Sequence, residues 1–568
     1  MKDLHDEFKA IWLAHDLPES FLSNIEFTGI PDQAVYSSFR LGVAASISIG
    51  LSGLSAAYLH FLRTGIAQKV TVDARHAVLS CHSQAYYTTD GTVPSGDTWD
   101  TIAGLYRTKE NGWVRIHTNF PHHRVGVLSI LGIPDTPSSP ATKETVRATI
   151  ARWDAQELED ACAERGMCVF RMRSLEEWDA SPQGRAVAAL PIVDVRPIAA
   201  TGTAPGTGSG SSAGDNPNPT DIHIRGLHQT PNPTRPLSGL RILDLSRVLA
   251  GPVAGRTLAA HGAQVLLVTS PSFPDLPLLD VETSLGKRTV QIDVEQSDGR
   301  QTLTALARDA DVFLQAYRPG ALQGKGFGVG DVVRMKMDAA GVGKGKQEGI
   351  LSGGIVYASL SAWGWDGPWA GRRGFDSLVQ TATGFNYDEG AVFMYYHNQN
   401  NAQGIERDGI VPRPLPMQAL DHAAGYFLAF GVHVALIKAL RSGGSHEVRV
   451  SLAGVGRWVR SLGRLRLDSF TEKLPVLPKN AEDEEIKRLS IEWCERRGTS
   501  LPIRSVSSSV SGTPETVQKP RRKMTALRHA AVLAKTPVRE GILAADAGGN
   551  GDWGAPMRLD ADAAVWVE

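Results

Sequence analysis

Three groups of side chains in this 568-residue chain have the types and spacing for chemistry. The first is a strand-to-helix turn, Leu243-Asp-Leu-Ser-Arg-Val-Leu-Ala-Gly-Pro. Pro252 falls near the helix start, where its missing N–H costs little. A helix that opens directly after a strand presents oriented N–H groups and the positive end of its dipole, a seat for a phosphate. Val248, Leu249 and Ala250 occupy that turn. The second group offers charge and stacking surface: Lys287, Arg288 and Arg373 are basic, and Tyr317 has an aromatic face. Taken singly, a basic loop residue is usually solvated and a tyrosine usually packs. The third is Asp421, at the head of a helix predicted over 423–440, where Asp is a good N-cap.

Elements that could position these residues alternate. Strands are predicted at 240–245, 264–268, 289–293, 312–316 and 354–360, with helices at 248–261 and 299–309. Continuous apolar runs such as Val-Leu-Leu-Val mark strands buried on both faces of a parallel sheet, joined by right-handed crossovers. The segment 335–353 reads as an inserted loop. No strand precedes its glycines, and the Gly-Lys-Ser/Thr of a P-loop is missing.

The chain divides by composition. Residues 1–197 form a first portion. The stretch 198–236 is rich in Gly, Ser, Thr and Pro, too poor in apolar surface to order itself, and reads as a flexible linker. A second portion covers 237–460, and 461–568 is weakly patterned. The two portions share a repeat. Ala57-Tyr-Leu-His-Phe-Leu-Arg-Thr-Gly, with Lys69-Val-Thr-Val-Asp after it, is matched by Ala435-Leu-Ile-Lys-Ala-Leu-Arg-Ser-Gly and Glu447-Val-Arg-Val-Ser, displaced by 378 (435 minus 57). Val43 is the counterpart of Asp421, so the repeated unit does not itself require a carboxylate there.

With 42% hydrophobic and 21% charged residues, the chain is not a wholly disordered one. Lys plus Arg total 59 and Asp plus Glu 60, which gives no support to a nucleic-acid partner or a polybasic membrane surface. The most apolar stretch, 41–62, is interrupted by Ser46, Ser48, Ser52, Ser55 and His60 and reads as a buried helix, not a membrane span. The four cysteines are scattered, and the first residues are too acidic for a signal or transit peptide. An intracellular, reducing location, cytoplasmic by default, is the expectation.

Four motifs follow one another in order: the turn at 243–252; Leu285-Gly-Lys-Arg-Thr-Val-Gln-Ile-Asp; Asp311-Val-Phe-Leu-Gln-Ala-Tyr-Arg-Pro-Gly; and Val356-Tyr-Ala-Ser-Leu-Ser-Ala-Trp-Gly-Trp-Asp-Gly-Pro with Gly374-Phe-Asp. Together they resemble the family III CoA-transferases, which include formyl-CoA transferase, carnitine CoA-transferase and α-methylacyl-CoA racemase. The resemblance is good over 237–451 and weaker over 57–197, where Gly112-Trp-Val-Arg-Ile matches the small domain. It implies an α/β fold with an open, parallel, Rossmann-like sheet and a smaller second domain. Family members are interlocked dimers of ring-like chains, so two related portions imply a fused pseudo-dimer of fungal type, with a further homodimer open. The implied reaction transfers CoA from an acyl-CoA to a carboxylic acid, with no metal and no prosthetic cofactor. Asp421, with Gly425 four residues on, matches the family nucleophile. Val248, Leu249, Ala250, Lys287, Arg288, Tyr317 and Arg373 are the implied CoA contacts. Where family members often carry Glu-Arg or Glu-Lys-Pro, this chain has Thr269-Ser270-Pro271. The racemase branch would need a His at Phe375 and an Asn at Met417, which makes racemisation the alternative reading. A degenerate CoA-binding protein is a third, since the family's Gly-rich active-site loop has no clear counterpart.

Overall fold

Among the described residues seven strands make the main sheet, in the spatial order Arg288–Gln291, Gln264–Thr269, Arg241–Leu245, Val312–Gln315, Val356–Ser361, Ser445–Ser451 and Asp194–Ile198. The first six run parallel and the seventh is antiparallel, with Ser445 opposite Ile198. Numbered along the chain, the six follow the order 3-2-1-4-5-6 of a Rossmann fold. The central strands 312–315 and 356–361 are buried at every residue, which is why they read as unbroken apolar runs. This computed structural model describes residues 1–96, 98–198, 222–228, 230, 232–341, 351–398, 409–466, 470, 473–496, 521–541 and 554–567.

The smaller domain is an antiparallel sheet of Gly104–Arg107, Trp113–Ile116 and Val169–Arg171, with a core of its own around Tyr106, Val114, Val127 and Leu158.

Two 24-residue helices, Leu41–Thr64 and Ala419–Ser442, pack along each other through the largest core of the molecule. Both are long and apolar, and both are buried. Their bounds differ by 378 at each end, and Ser55 Oγ shares a 2.9 Å hydrogen bond with Nδ1 of its own counterpart, His433. A residue that meets its counterpart sits on a local twofold axis. The correspondence continues into the next strand, Val70–Asp73 against the end of 445–451, and into the helix after it, capped by Asp73 in one case and Ser451 in the other. Each of these strands has a parallel neighbour on one side (Ile25–Thr28 or Val356–Ser361) and an antiparallel one on the other (Ala531–Leu533 or Asp194–Ile198).

Several sequence expectations are refined. The portions 1–197 and 237–460 share a sheet. Strand 194–198 of the first is the edge of the second's sheet. The weakly patterned region 461–568 supplies strands to the first portion: Ala531–Leu533 pairs with Val70–Asp73, and Ser490–Cys494 and Lys523–Leu527 extend Tyr87–Thr89 into a sheet. The linker reading of 199–221 lies outside the described residues, but the end of that stretch is packed. Ile224 and Leu227 are buried, and Arg63 donates to the carbonyls of Gly226 and Pro236. Residues 335–340, assigned to an inserted loop, complete the helix Val329–Ala340, and 342–350 lie outside the described residues.

Candidate active site

In an open parallel sheet, ligands bind at the carboxyl ends of the strands where the strand order reverses. Here that point lies between 241–245 and 312–315. A crevice of about 610 Å³ opens there. Its walls come from the turn after the first strand (Arg247, Val248), the end of the second (Thr269) and the turn after the fourth (Tyr317, Arg318). The small domain contributes Phe120, His122 and His123, and a loop contributes Arg373 and Phe375.

Val248 holds a left-handed backbone (φ 73°), a costly conformation for a β-branched residue. The helix Ala250–Ala260 follows with no side-chain cap among the described residues. Arg247 stands between two rings, its guanidinium carbon 5.3 Å from the centroid of Phe120 and 5.2 Å from that of Phe273. Thr269 Oγ1 is buried at the crevice wall with no partner among the described residues. Burial, then the charges of Arg373 and Arg247, pushes the His122 pKa down and favours its neutral form.

Of the predicted CoA contacts, Val248, Tyr317 and Arg373 line the crevice, and Arg373 also reaches the carbonyl of Gly166. Leu249 and Ala250 are buried behind it. Lys287 and Arg288 are corrected. Lys287 is wholly buried, with Nζ 2.9 Å from Asp244 Oδ2 and 2.9 Å from the carbonyl of Pro252. It braces the turn at Val248 from beneath and does not line the crevice. Gly255 makes room for this pair, because a Cβ there would stand 2.1 Å from Asp244 Oδ2. Arg288 is 2% exposed, donates to the carbonyls of Ala563 and Val565, and holds the C-terminal segment against the sheet edge. Arg247 and Arg318 were missed, although both stand inside the quoted motifs beside residues that were chosen.

Asp421 lies in the first turn of Ala419–Ser442 but is not its N-cap, as the sequence suggested; Gln418 occupies that position with no side-chain bond. The cap comes from elsewhere in the chain. Asp376 Oδ2 accepts the N–H groups of Leu420 (2.8 Å) and Asp421 (2.9 Å), and Gln380 Nε2 donates to its other oxygen. Both carboxylates are buried, at 1% and 7% exposure. Burial raises the Asp376 pKa to about 6 despite those three donors and nearby Arg115. Asp421 is raised well above the usual carboxylate range, first by burial and then by the charge of Asp376. The donors keep the charge on Asp376 and leave the proton on Asp421.

Asp421 does not line the crevice, but its surroundings are tied to it on two sides. Phe375, a crevice residue, precedes Asp376 in the chain. Four residues past Asp421, a Cβ at Gly425 would stand 2.7 Å from the carbonyl oxygen of Ala250. Glycine thus lets the helix that carries Asp421 close directly onto the helix that opens at the phosphate turn. His422 faces away from Asp421's partners, sharing a 2.8 Å bond with Gln84 Oε1. Phe375 stacks on His117 with centroids 3.8 Å apart, and Met417 is buried.

The sequence and the structure can be set beside known proteins. The model of CoA-transferase family III matches residues 19–218 and 237–463. An acyl-CoA transferase of Gibberella moniliformis is 25% identical over 463 residues, which cover 76% of this chain and 73% of that protein. An acetyl-coenzyme A transferase of Hypoxylon pulicicidum is 28% identical over 65% of this chain and 56% of its own length. For a probable fatty acyl-CoA transferase of Mycobacterium tuberculosis the figures are 29% identity, 40% and 52%, so the chain spans little more than half of these last two relatives. With a match over most of its length, a Rossmann-ordered sheet and a crevice at its switch point, the chain belongs to CoA-transferase family III.

Proposed function

We propose that the chain transfers CoA from an acyl-CoA to a carboxylic acid, with Asp421 as the nucleophile. The observation that carries this reading is the placement of Asp421. It is a buried carboxylate in the first turn of a helix that Gly425 docks onto the start of the phosphate-turn helix. The crevice beside that turn holds Arg247, Arg318 and Arg373 for the phosphates of CoA and aromatic walls for its uncharged parts.

Asp421 loses its proton, and one carboxylate oxygen bonds to the thioester carbon. The C–S bond breaks, CoA leaves as a thiolate, and a mixed anhydride forms. The incoming carboxylate then displaces the donor acid at the Asp421 carbonyl carbon. CoA thiolate attacks the acyl carbon of the new anhydride, giving the product thioester and free Asp421. Racemisation is disfavoured because Phe375 and Met417 carry no exchangeable proton where that chemistry needs one. We further read the paired helices and their continuing strands as two fused copies, the second supplying the CoA site and the first supplying shape. The relatives' names support acyl-CoA as donor.

The test uses mass spectrometry on protein mixed with a panel of acyl-CoAs and hydroxylamine. The parent should carry a hydroxamate on Asp421. Asp421→Asn should bind CoA, show no hydroxamate and lose transfer. Transfer by Asp421→Asn within a few-fold of the parent would overturn the assignment.

A further inference from the structure

Arg373 and Phe375 reach the crevice from residues 362–375, which join strand Val356–Ser361 to helix Asp376–Ala382 and form neither helix nor strand. With no ladder of its own, such a loop stays in one place only if its neighbours hold it. Here the neighbours belong to the first portion. Gln183 Nε2 donates to the carbonyls of Trp363 (2.8 Å) and Asp366 (2.9 Å), and Gln183 Oε1 accepts the Trp369 N–H at 2.7 Å. The end of the loop nearer the crevice meets helix Ala155–Glu164 of the small domain. Glu159 on that helix is 1% exposed. It accepts the Arg171 N–H at 2.7 Å and both terminal nitrogens of Arg173, at 2.9 and 2.8 Å. Arg372 adds a fourth bond, from Nη1 to Glu159 Oε1 at 3.2 Å. Its guanidinium carbon lies 4.3 Å from the ring centroid of Phe170 and 4.7 Å from that of Trp369. Just past the same helix, the carbonyl of Gly166 accepts Arg373 Nη1. The two consecutive arginines therefore differ in duty. Arg372 turns into the small domain and does not line the crevice, while Arg373 is aimed by Gly166 and remains in the crevice wall.

Resting on the reading that the crevice takes CoA, we propose that Glu159 and Arg372 are positioning residues for that ligand. Through them the first portion clasps residues 362–375 and sets Arg373 in place for a phosphate of CoA. An arginine on a loose loop has to be ordered at the moment of binding, which costs affinity; a loop already clasped avoids that cost. Arg173 alone neutralises Glu159, yet the loop sends a second arginine to it. A buried Arg–Glu–Arg triad gains little stability over apolar packing of the same volume, so its effect falls on geometry. The first portion then supplies affinity as well as shape.

Calorimetry on the full chain gives the Kd of CoA for four proteins: the parent, Arg372→Met, Arg373→Gln and the double variant. Arg372→Met keeps the Glu159–Arg173 pair intact. Arg373→Gln should weaken CoA about ten-fold. Arg372→Met should weaken it about five-fold in the parent and about two-fold or less in the Arg373→Gln background, because a residue that acts through Arg373 then has nothing left to position. With acyl-CoA as substrate, Arg372→Met should raise KM and leave kcat within about two-fold of the parent, since Asp376 keeps its own bonds to the Asp421 helix. If Arg372→Met does not fold, Glu159→Gln takes its place in the same cycle and should show the same dependence on Arg373. An unchanged Kd, or an equal loss with and without Arg373, would overturn the clasp while leaving CoA binding itself in place. A parent that does not bind CoA would overturn the crevice reading and the clasp with it.

Discussion

Replacing Asp376 by Asn tests how the fold prepares Asp421. The substitution keeps size and removes one charge. In the parent, Oδ2 of Asp376 accepts two backbone N–H groups and its other oxygen accepts Gln380 Nε2. An Asn that keeps its oxygen on the two N–H groups must turn its own NH₂ toward Gln380 Nε2, donor against donor. Gln380 cannot flip to help, because its Oε1 already accepts Leu415 N at 2.9 Å and Asn386 Nδ2 at 3.3 Å. The resulting loss of stability is about 1–3 kcal/mol. At the same time a negative charge leaves the neighbourhood of Asp421, which raises the pKa of the parent. With that charge gone, one of the two causes that hold the Asp421 pKa up is removed, and Asp421 should ionise at lower pH. The assay is kcat/KM for acyl transfer from pH 5 to 9, run well below the unfolding temperature of each variant, with thermal melts in parallel. In Asp376→Asn the acidic limb should move to lower pH while the melt falls. If the limb stays in place or moves up, the proton that limits transfer does not sit on Asp421, and the coupling argument fails.

Other substitutions and conditions probe the scaffold. Lys287→Ala removes the cation from a fully buried pair and strands Asp244, so it should cost about 3–5 kcal/mol in chemical denaturation; a loss under 1 kcal/mol would show that the pair does not brace the phosphate turn. Gly425→Ala pushes a methyl group against the Ala250 carbonyl and should destabilise by about 1–3 kcal/mol and depress transfer by parting the two helices. A variant as stable and active as the parent would count against their close approach. Burial pushes the pKa of His117 and His433 down to about 3 and those of His82, His446 and His529 down to about 4. Their folded values lie below the unfolded value of about 6.5, so their stabilising contribution is complete above that pH and is lost as pH falls toward the folded values. Asp280 and Asp376, raised to about 6, and Glu540, raised to about 7, act in the opposite sense, favouring the folded state as pH falls. Five histidines with wide shifts should prevail, so the unfolding temperature should drop between pH 6.5 and 4.5; a flat or rising profile would refute this.

Much of the framework is legible in the residues themselves. Strands buried on both faces read as unbroken apolar runs, so Val265 to Val268 or Val312 to Leu314 announce a parallel sheet, and the shift from that run to a helical pattern at Pro252 marks the phosphate turn. The repeat at a displacement of 378 is visible in sequence because helix, turn and strand are local, and the paired helices keep that displacement at both ends. The partners of charged side chains are decided by packing. Lys287 and Arg288 look like loop cations until Asp244, 43 residues earlier, and Ala563, 275 residues later, are brought beside them. The cap of the Asp421 helix comes from Asp376, 45 residues away, and no local signal distinguishes that carboxylate from a solvated one. Which strands join the portions was equally hidden. A strand of three residues such as Ala531–Leu533 has almost no pattern of its own and acquires its identity only by pairing with Val70–Asp73. Local propensity and periodicity set the elements, but edge pairing, caps and buried ion pairs are contacts over long chain separations, and only the assembled core determines which groups lose water together.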